Sequence, residues 1–465
     1  MGRTGKGRLA TAVAVSCAAV VGSVVMPADA MAKPIAAPAD FNGDGYHDLV
    51  VPAPAATVGG KVGAGAVVVL YGSRTGVSTA RKAVITQNSA GVPGTAEAGD
   101  LFGASTAFAD LDKDGFSDLV VGAPDEGTSA AHTGMVTVLW GGKNGLAAGS
   151  PLPVPVVGGG RYGLDVAAVR DSRGPRVLVG GYDGSIELSG TFKRDGSVGS
   201  ASRNWSTPSV AVTDFGDFRH DGHAERIVTS VRVGGNSGGL VYVDPVDGSR
   251  PLPVDGTTTA TGDVNGDGYH DLVVGDPDEP ANGTNGHLGG EITLWYGGPD
   301  GLAAAPVHIS QDTAGVYGTS TKKNKFGQAV AVADLNNDGL GEIIVGVPGQ
   351  HRNGQAMAGA VVVIPGQRTG TPGAGSYEIS QESGSVPGVS ERGDGFGLTL
   401  TVGDVKADGH PDLIIGAEGE DNYRGAVWVL PGTSTRPLGT GSVELTAGKL
   451  GVAGVSPWVG GFPPS

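Results

Sequence analysis

Apolar residues along this chain fall in short runs and not at helical spacing. Ala66-Val67-Val68-Val69-Leu70 and Ala360-Val361-Val362-Val363-Ile364 are β-branched and bounded by glycine, which is how a strand reads. Beyond the N-terminus no stretch carries a convincing helical period, so the chain is predicted to be all-β. The N-terminus differs. Leu9 to Val25 is apolar and uncharged, Arg3, Lys6 and Arg8 precede it, and Ala28-Asp29-Ala30 follows as an A-x-A site. Residues 1–30 therefore read as a signal peptide, with cleavage after Ala30 or Ala32. The apolar run is short for a membrane span and no stop-transfer pattern follows; an uncleaved anchor is the alternative.

The strands recur in a repeat. Asp110-Leu-Asp112-Lys-Asp114-Gly115-Phe-Ser-Asp118 precedes a Val-rich strand that ends in Gly122-Ala-Pro124. Copies begin at Asp40, Asp263 and Asp334, weaker ones at Asp217 and Asp404, and a nearly erased one spans Arg170 to Gly181. Starts at 40, 110, 263, 334 and 404 leave gaps of 70, 153, 71 and 70 residues. The long gap holds the two shorter, degenerate units, so seven units result. A blade of four short strands needs roughly 40–50 residues, so these units are blades with longer loops. The expected blades are roughly 33–100, 101–158, 159–209, 210–256, 257–318, 325–394 and 395–462. Phe102-Gly103, Phe326-Gly327 and Phe396-Gly397 open units, with Tyr162-Gly163 as a variant. Gly94, Gly318 and Gly388 each stand eight positions before such a Phe, and Gly454 stands eight before Phe462. The C-terminus is thus expected to carry the link into a first strand that residues from about Lys33 to Asp40 supply. That arrangement closes a ring and leaves no free sheet edge.

The Phe-Gly opening, the D-x-[DN]-x-D-G-x-x-[DE] loop and the Gly-Ala-Pro ending resemble FG-GAP repeats, as in the integrin α-subunit propeller and many bacterial secreted proteins. The resemblance spans roughly residues 33–462. It implies a seven-bladed β-propeller with calcium-binding loops between the first and second strands of its blades, and it points to adhesion.

The loop chemistry agrees. Alternate side chains of a tight loop converge on one point, so positions 1, 3, 5 and 9 offer oxygens, and Gly at position 6 permits the turn. The candidate ligands are Asp40, Asn42, Asp44 and Asp48; Asp110, Asp112, Asp114 and Asp118; Asp263, Asn265, Asp267 and Asp271; and Asp334, Asn336, Asp338 and Glu342. Hard oxygen donors in this number suit Ca²⁺ and not Zn²⁺. An Asx-turn hairpin without metal is the competing reading, but so many carboxylates within a few ångströms repel unless a cation intervenes. About four structural calcium sites are expected, with affinities of about 10⁻⁴–10⁻³ M typical of extracellular modules. Position 3 is Arg219 in one weak copy and Lys406 in the other. Each basic chain is expected to enter its own cage, neutralising Asp217, Asp221 and Glu225, or Asp404, Asp408 and Asp412.

Composition narrows the function. The chain has 465 residues, 85 of them Gly, and its one cysteine, Cys17, lies in the presumed signal. A mature exported chain without disulfides needs another staple, and metal supplies one. Losing residues 1–30 removes three positive charges and one negative, taking the net charge from −16 to about −18. That argues against nucleic acid and an anionic membrane surface as partners. Gly235-Asn236-Ser237-Gly238-Gly239 has the letters of a nucleophile elbow without its strand–turn–helix setting. Arg392-Gly393-Asp394 has the letters of an adhesion tripeptide but stands where unit two has Ala98-Gly99-Asp100. His47 and His270 are expected to face solvent. Trp205, Trp295 and Trp458 are surface candidates whose competing fate is core packing. The leading expectation is a secreted or wall-associated, monomeric adhesion or recognition module for an extracellular protein or glycan. A hydrolase or lyase on the same scaffold and a structural envelope protein stay open.

Overall fold

The computed structural model describes residues 39–127, 131–204, 209–232, 238–244, 249–280, 286–370, 372–437 and 439–460. Its strands form seven separate antiparallel sheets, each with strands paired in chain order. The second is representative: Ser105–Ala109, Asp118–Ala123, Met135–Leu139 and Gly149–Pro151, counted outward. Six sheets have four strands, and the first has three among the described residues, Leu49–Ala53, Ala66–Leu70 and Lys82–Ile85. Its expected inner strand lies largely outside the described residues, although Ala39 already accepts the Asp48 N–H. The chain is an all-β, seven-bladed propeller.

Strand alternation explains why the middle strands are apolar throughout. Leu119 and Val121 pack into the seam with blade 1, whereas Val120 packs into the seam with blade 3. Both faces of such a strand are buried, so no polar alternation survives. Seven apolar clusters result, one between each pair of neighbouring blades. Each fully buried Val, Leu or Ile contributes about 1.5–3 kcal/mol. The Phe of each Phe-Gly pair enters the seam with the preceding blade. Phe102 N–H donates to Ala64 O, and Gly103 N–H donates to Gly122 O.

The ring closes through the C-terminus, but in a register different from the expected one. Gly460 N–H donates to Pro52 O, the blade 1 counterpart of Gly122, and Val459 joins the seam between blades 7 and 1. Val459-Gly460 therefore takes the Phe-Gly place, and the expected Phe462 lies outside the described residues. The spacing from Gly454 misled because the link of blade 7 is shorter and carries a helical turn, Ala447–Leu450, at its start.

Antiparallel pairing assigns the loops to two faces. The turns between first and second strands, which hold the Asp-rich loops, lie on one face. The loops between second and third strands and the links between blades lie on the other. In blade 3 the Asp-rich loop has shrunk to Ser172-Arg173 between Val166–Asp171 and Gly174–Gly181.

Candidate metal centres

Each Asp-rich loop is built by its own backbone. In blade 5, Asp263 Oδ1 accepts the N–H groups of Gly266 and Asp267 at 2.7 and 3.1 Å, and its Oδ2 accepts Gly268 N–H at 2.8 Å. Asp271 closes the loop from the second strand, accepting Val264 N–H and Gly297 N–H, both at 2.8 Å. Asp40 and Asp48 repeat this set in blade 1, as do Asp334 and, in part, Glu342 in blade 6. The left-handed φ of +91° at Gly268 meets no neighbour a Cβ would strike, so conformation alone demands glycine there.

Asp110, Asp112 and Asp118 bring one oxygen each within 4.8 Å of one another, and Asp110 Oδ1 is buried without a partner. That orphaned oxygen, facing carboxylates, fits a cation. The closing acids Asp48, Asp118, Asp271 and Glu342 are all buried. Burial pushes their carboxyls up to about 7 against the pull of the backbone N–H donors, and neighbouring carboxylates add to the rise. The asparagines also hold the loop. Asn42, Asn265 and Asn336 use Oδ1 to accept a loop N–H and aim Nδ2 at the position-5 carboxylate, at 2.9–3.1 Å. Each Asn Oδ1 accepts one N–H and keeps a second lone pair.

Basic side chains reach several loops, and only some of them were legible in the sequence. Arg219 pairs with Glu225 in its own loop, and Lys406 Nζ lies 3.6 Å from Asp412 Oδ1. Asp217, Asp221, Asp404 and Asp408 make no ion pair with these two chains, so neutralisation is narrower than expected. Blade 2 is reached from outside. Arg194 of blade 3 donates to Asp112 and Asp114 at 2.8 and 2.7 Å, and Arg170 pairs with Asp110. Arg81 donates to Asp44 at 3.0 Å in blade 1. The candidate ligands of blades 5 and 6 pair with no basic side chain among the described residues.

Where blade 3 has lost its loop, an arginine joins it to blade 4. Arg176 is buried, pairs with Asp171, donates to Ala224 O and lies over the Phe215 ring at 4.7 Å. His223 Nδ1 approaches the same Asp171 oxygen at 3.2 Å. Burial pushes the Asp171 carboxyl up, but the Ala224 N–H and the Arg176 guanidinium outweigh it and hold it below its ordinary value.

Other expectations resolve one by one. His47 and His270 do not face solvent; both are half-buried at seams. Asp404 N–H donates to His47 Nδ1 at 3.1 Å, and His270 N–H donates to Asp217 O. Burial pushes both imidazoles below their ordinary value. The sequence places them in turns, and only the neighbouring blade covers them. Asp394 of the Arg392-Gly393-Asp394 tripeptide is buried. Trp295 is buried and Trp458 half-buried. Trp205 and Gly235–Ser237 lie outside the described residues. No described helix is long and apolar enough to cross a membrane.

The FG-GAP repeat family matches residues 34–70, 102–139, 256–289, 326–364 and 396–430. The interval between 139 and 256 holds blades 3 and 4, where the Phe-Gly pair or the loop has eroded. The chain is similar to phosphatidylinositol-glycan-specific phospholipase D of Bos taurus, 32% identical over 162 residues, 35% of this chain and 18% of that protein. It is similar to integrin alpha-5 of Xenopus laevis, 33% identical over 178 residues, 37% of this chain and 15% of that protein. Integrin alpha-7 of Mus musculus is 27% identical over 263 residues, 53% of this chain and 21% of that protein. The chain thus spans about a fifth or less of the length of these relatives. With five matched repeats on a seven-sheet ring, the chain is an FG-GAP repeat β-propeller of the kind related to integrin α-subunits.

Proposed function

We propose that this chain is an exported recognition module, stapled by calcium on one face of its ring and binding an extracellular protein or glycan with the other. One observation carries the reading. Of eleven exposed large apolar side chains among the described residues, nine lie in second-to-third-strand loops or inter-blade links: Val62, Val156, Tyr182, Leu288, Tyr317, Met357, Val389, Tyr423 and Val455. Those segments share the face opposite the Asp-rich loops. Exposed aromatic and aliphatic side chains gathered on one surface are what a binding face needs. The integrin relatives favour a binding role.

Calcium belongs in the loops of blades 1, 2, 5 and 6. The blade 5 and 6 loops are the strongest candidates, because no arginine competes there. The ion would tie the first strand of a blade to its second, as a disulfide would in another exported protein. Addition of a chelator is expected to lower the melting temperature of the mature chain; an unchanged value overturns the staple.

Binding is tested on glycan, cell-wall and extracellular-matrix arrays. A variant with Tyr182, Tyr317 and Tyr423 all changed to Ala is expected to lose binding and keep its melting temperature. Equal binding by this variant moves the recognition face elsewhere. The phospholipase D relatives carry an enzyme's name, so the same preparation is assayed on phosphodiester and glycoside substrates. Turnover there, without array binding, would replace the recognition reading.

A further inference from the structure

Three seams carry the same buried polar cluster, and two of them are one hydrogen short. Gln87, Gln311 and Gln381 each follow an outer-strand isoleucine by two positions and are at least 96% buried. Gly94, Gly318 and Gly388 leave room for them; a Cβ there would lie 2.6, 2.5 or 3.0 Å from the glutamine Nε2. Between blades 5 and 6 the groups that meet the glutamine are amides, with the Glu378–Arg352 ion pair beyond Gln350. Gln311 Nε2 lies 3.3 Å from Gln350 Oε1, and Asn324 Nδ2 donates to Gln311 Oε1 at 2.7 Å. Gln350 is better turned about, so that its oxygen accepts from Arg352. Gln311 and Asn324 can turn with it, because each is an amide and brings its own N–H.

The other two seams put carboxyls in those places. Between blades 1 and 2, Gln87 Nε2 donates to Glu126 Oε2 at 2.5 Å, Asp100 replaces the asparagine, and Gln87 Oε1 has no partner. Between blades 6 and 7, Gln381 Nε2 donates to Glu420 Oε2 at 3.0 Å, Asp394 replaces the asparagine, and Gln381 Oε1 has no partner. Asp100 and Asp394 are buried, and each accepts one backbone N–H, from Glu97 and Glu391. Turning the glutamine only moves the deficit, since its oxygen then faces the Glu. Placed as Gln311 is between Gln350 and Asn324, one amide between two ionised carboxylates leaves an oxygen against an oxygen. Each seam brings only two carboxyls to the glutamine, Asp100 with Glu126 or Asp394 with Glu420, fewer oxygen donors than a calcium cage takes. The amide seam shows what the site lacks, a hydrogen.

We propose that the seams between blades 1 and 2 and between blades 6 and 7 each bind one extra proton, shared by Asp100 and Glu126 across Gln87 and by Asp394 and Glu420 across Gln381. The two seams are then acid-stabilised latches, and the seam between blades 5 and 6 is their pH-independent counterpart. The surrounding charges favour the proton. Glu97 and Asp125 face the first site, with Asp125 paired to Arg161 and 3.4 Å from His132. Glu391, Asp421 and Glu444 face the second, with Glu444 paired to Lys449. Burial, then like charge, pushes Glu420 up to about 8 and Asp394 up to about 6, and both carboxyls of the first site rise for the same reasons. The folded chain holds these protons above the ordinary carboxylate range, up to about pH 8 at the second site, where the unfolded chain has released them. Stability therefore falls as pH rises through that window.

The test is thermal unfolding of the full chain in excess calcium from pH 5.5 to 8.5, which leaves the loops common to all variants. Asp100→Asn with Asp394→Asn supplies the missing N–H groups. This variant is expected to gain at least about 2 °C on the wild type between the two pH values. Asn324→Asp, which installs the deficit in the amide seam, should lose ground over the same range. If the double variant does not fold, Glu126→Gln with Glu420→Gln serves in its place. Infrared spectra at pH 7 should show protonated-carboxyl stretches in the wild type that weaken in the double variant. Parallel melting profiles overturn the proposal, as does the loss of two bound calcium ions per chain in the double variant, which would make the seams metal sites.

Discussion

Asp48, Asp118, Asp271 and Glu342 each stand at the start of an apolar strand; one carboxylate oxygen accepts a loop N–H, and the other accepts the N–H of Gly72, Gly141 or Gly297 beyond the third strand or, at Glu342, Asn336 Nδ2. Their carboxyls titrate near pH 7 without an ion, so a bound cation must displace a proton from each. Calcium affinity is expected to weaken as pH falls from 8 to 6, measured by calorimetric titration. The folded-state values are raised, so the metal-free chain holds protons that the unfolded chain has lost above the ordinary carboxylate range. Chelated protein should therefore lose melting temperature more steeply as pH rises toward 7 than calcium-loaded protein, in which only the seam carboxyls still release protons. Arg176 makes the opposite kind of site, a buried charge with fixed partners. Changing Arg176 to Met leaves Asp171 buried and uncompensated and should cost about 3–5 kcal/mol in denaturant unfolding. The Asp-rich ligands were legible because their spacing is local. Arg170 and Arg194 were not, because they reach the blade 2 loop across 60 and 80 residues of sequence.

At the level of the element, glycine decides how blades join. Gly65, Gly134 and Gly359 each bridge in parallel to Phe102, Tyr162 or Phe396 of the link to the next blade. A Cβ at Gly359 would lie 2.3 Å from Phe396 O and 2.4 Å from Phe396 N, at a φ of +89°. Backbone stands there, so nothing can swing away. Gly359→Ala should destabilise the chain by about 1–3 kcal/mol through strain alone, seen as a lower denaturant midpoint at unchanged slope. Strand identity could be read from the Val runs and their glycine boundaries. The seam each side chain faces could not, because alternation fixes that two faces exist but not which neighbour meets each.

For the whole molecule, closure of the ring is the cooperative event. Blade 7 meets blade 1 through the 17 buried residues of one apolar cluster, with Thr57 N–H to Ala453 O and Gly460 N–H to Pro52 O across it. Deleting residues 452–465 removes Val452, Val459 and both hydrogen bonds. The shortened chain is expected to melt lower and in more than one step, followed by calorimetry, because an opened ring loses end-to-end cooperativity. The sequence by itself determined the seven units, their order, the Asp-rich loops between first and second strands, and the two basic replacements at Arg219 and Lys406. Each of these is written in residues close together in the chain. Tertiary structure alone decided the rest: that Val459-Gly460 and not Phe462 takes the closing place, that His47 and His270 are covered by the next blade, that arginines of blade 3 guard the loop of blade 2, and that Gln87 and Gln381 meet acids where Gln311 meets an amide. Those contacts join segments that only the closed ring brings together, and no local pattern encodes the distance between them.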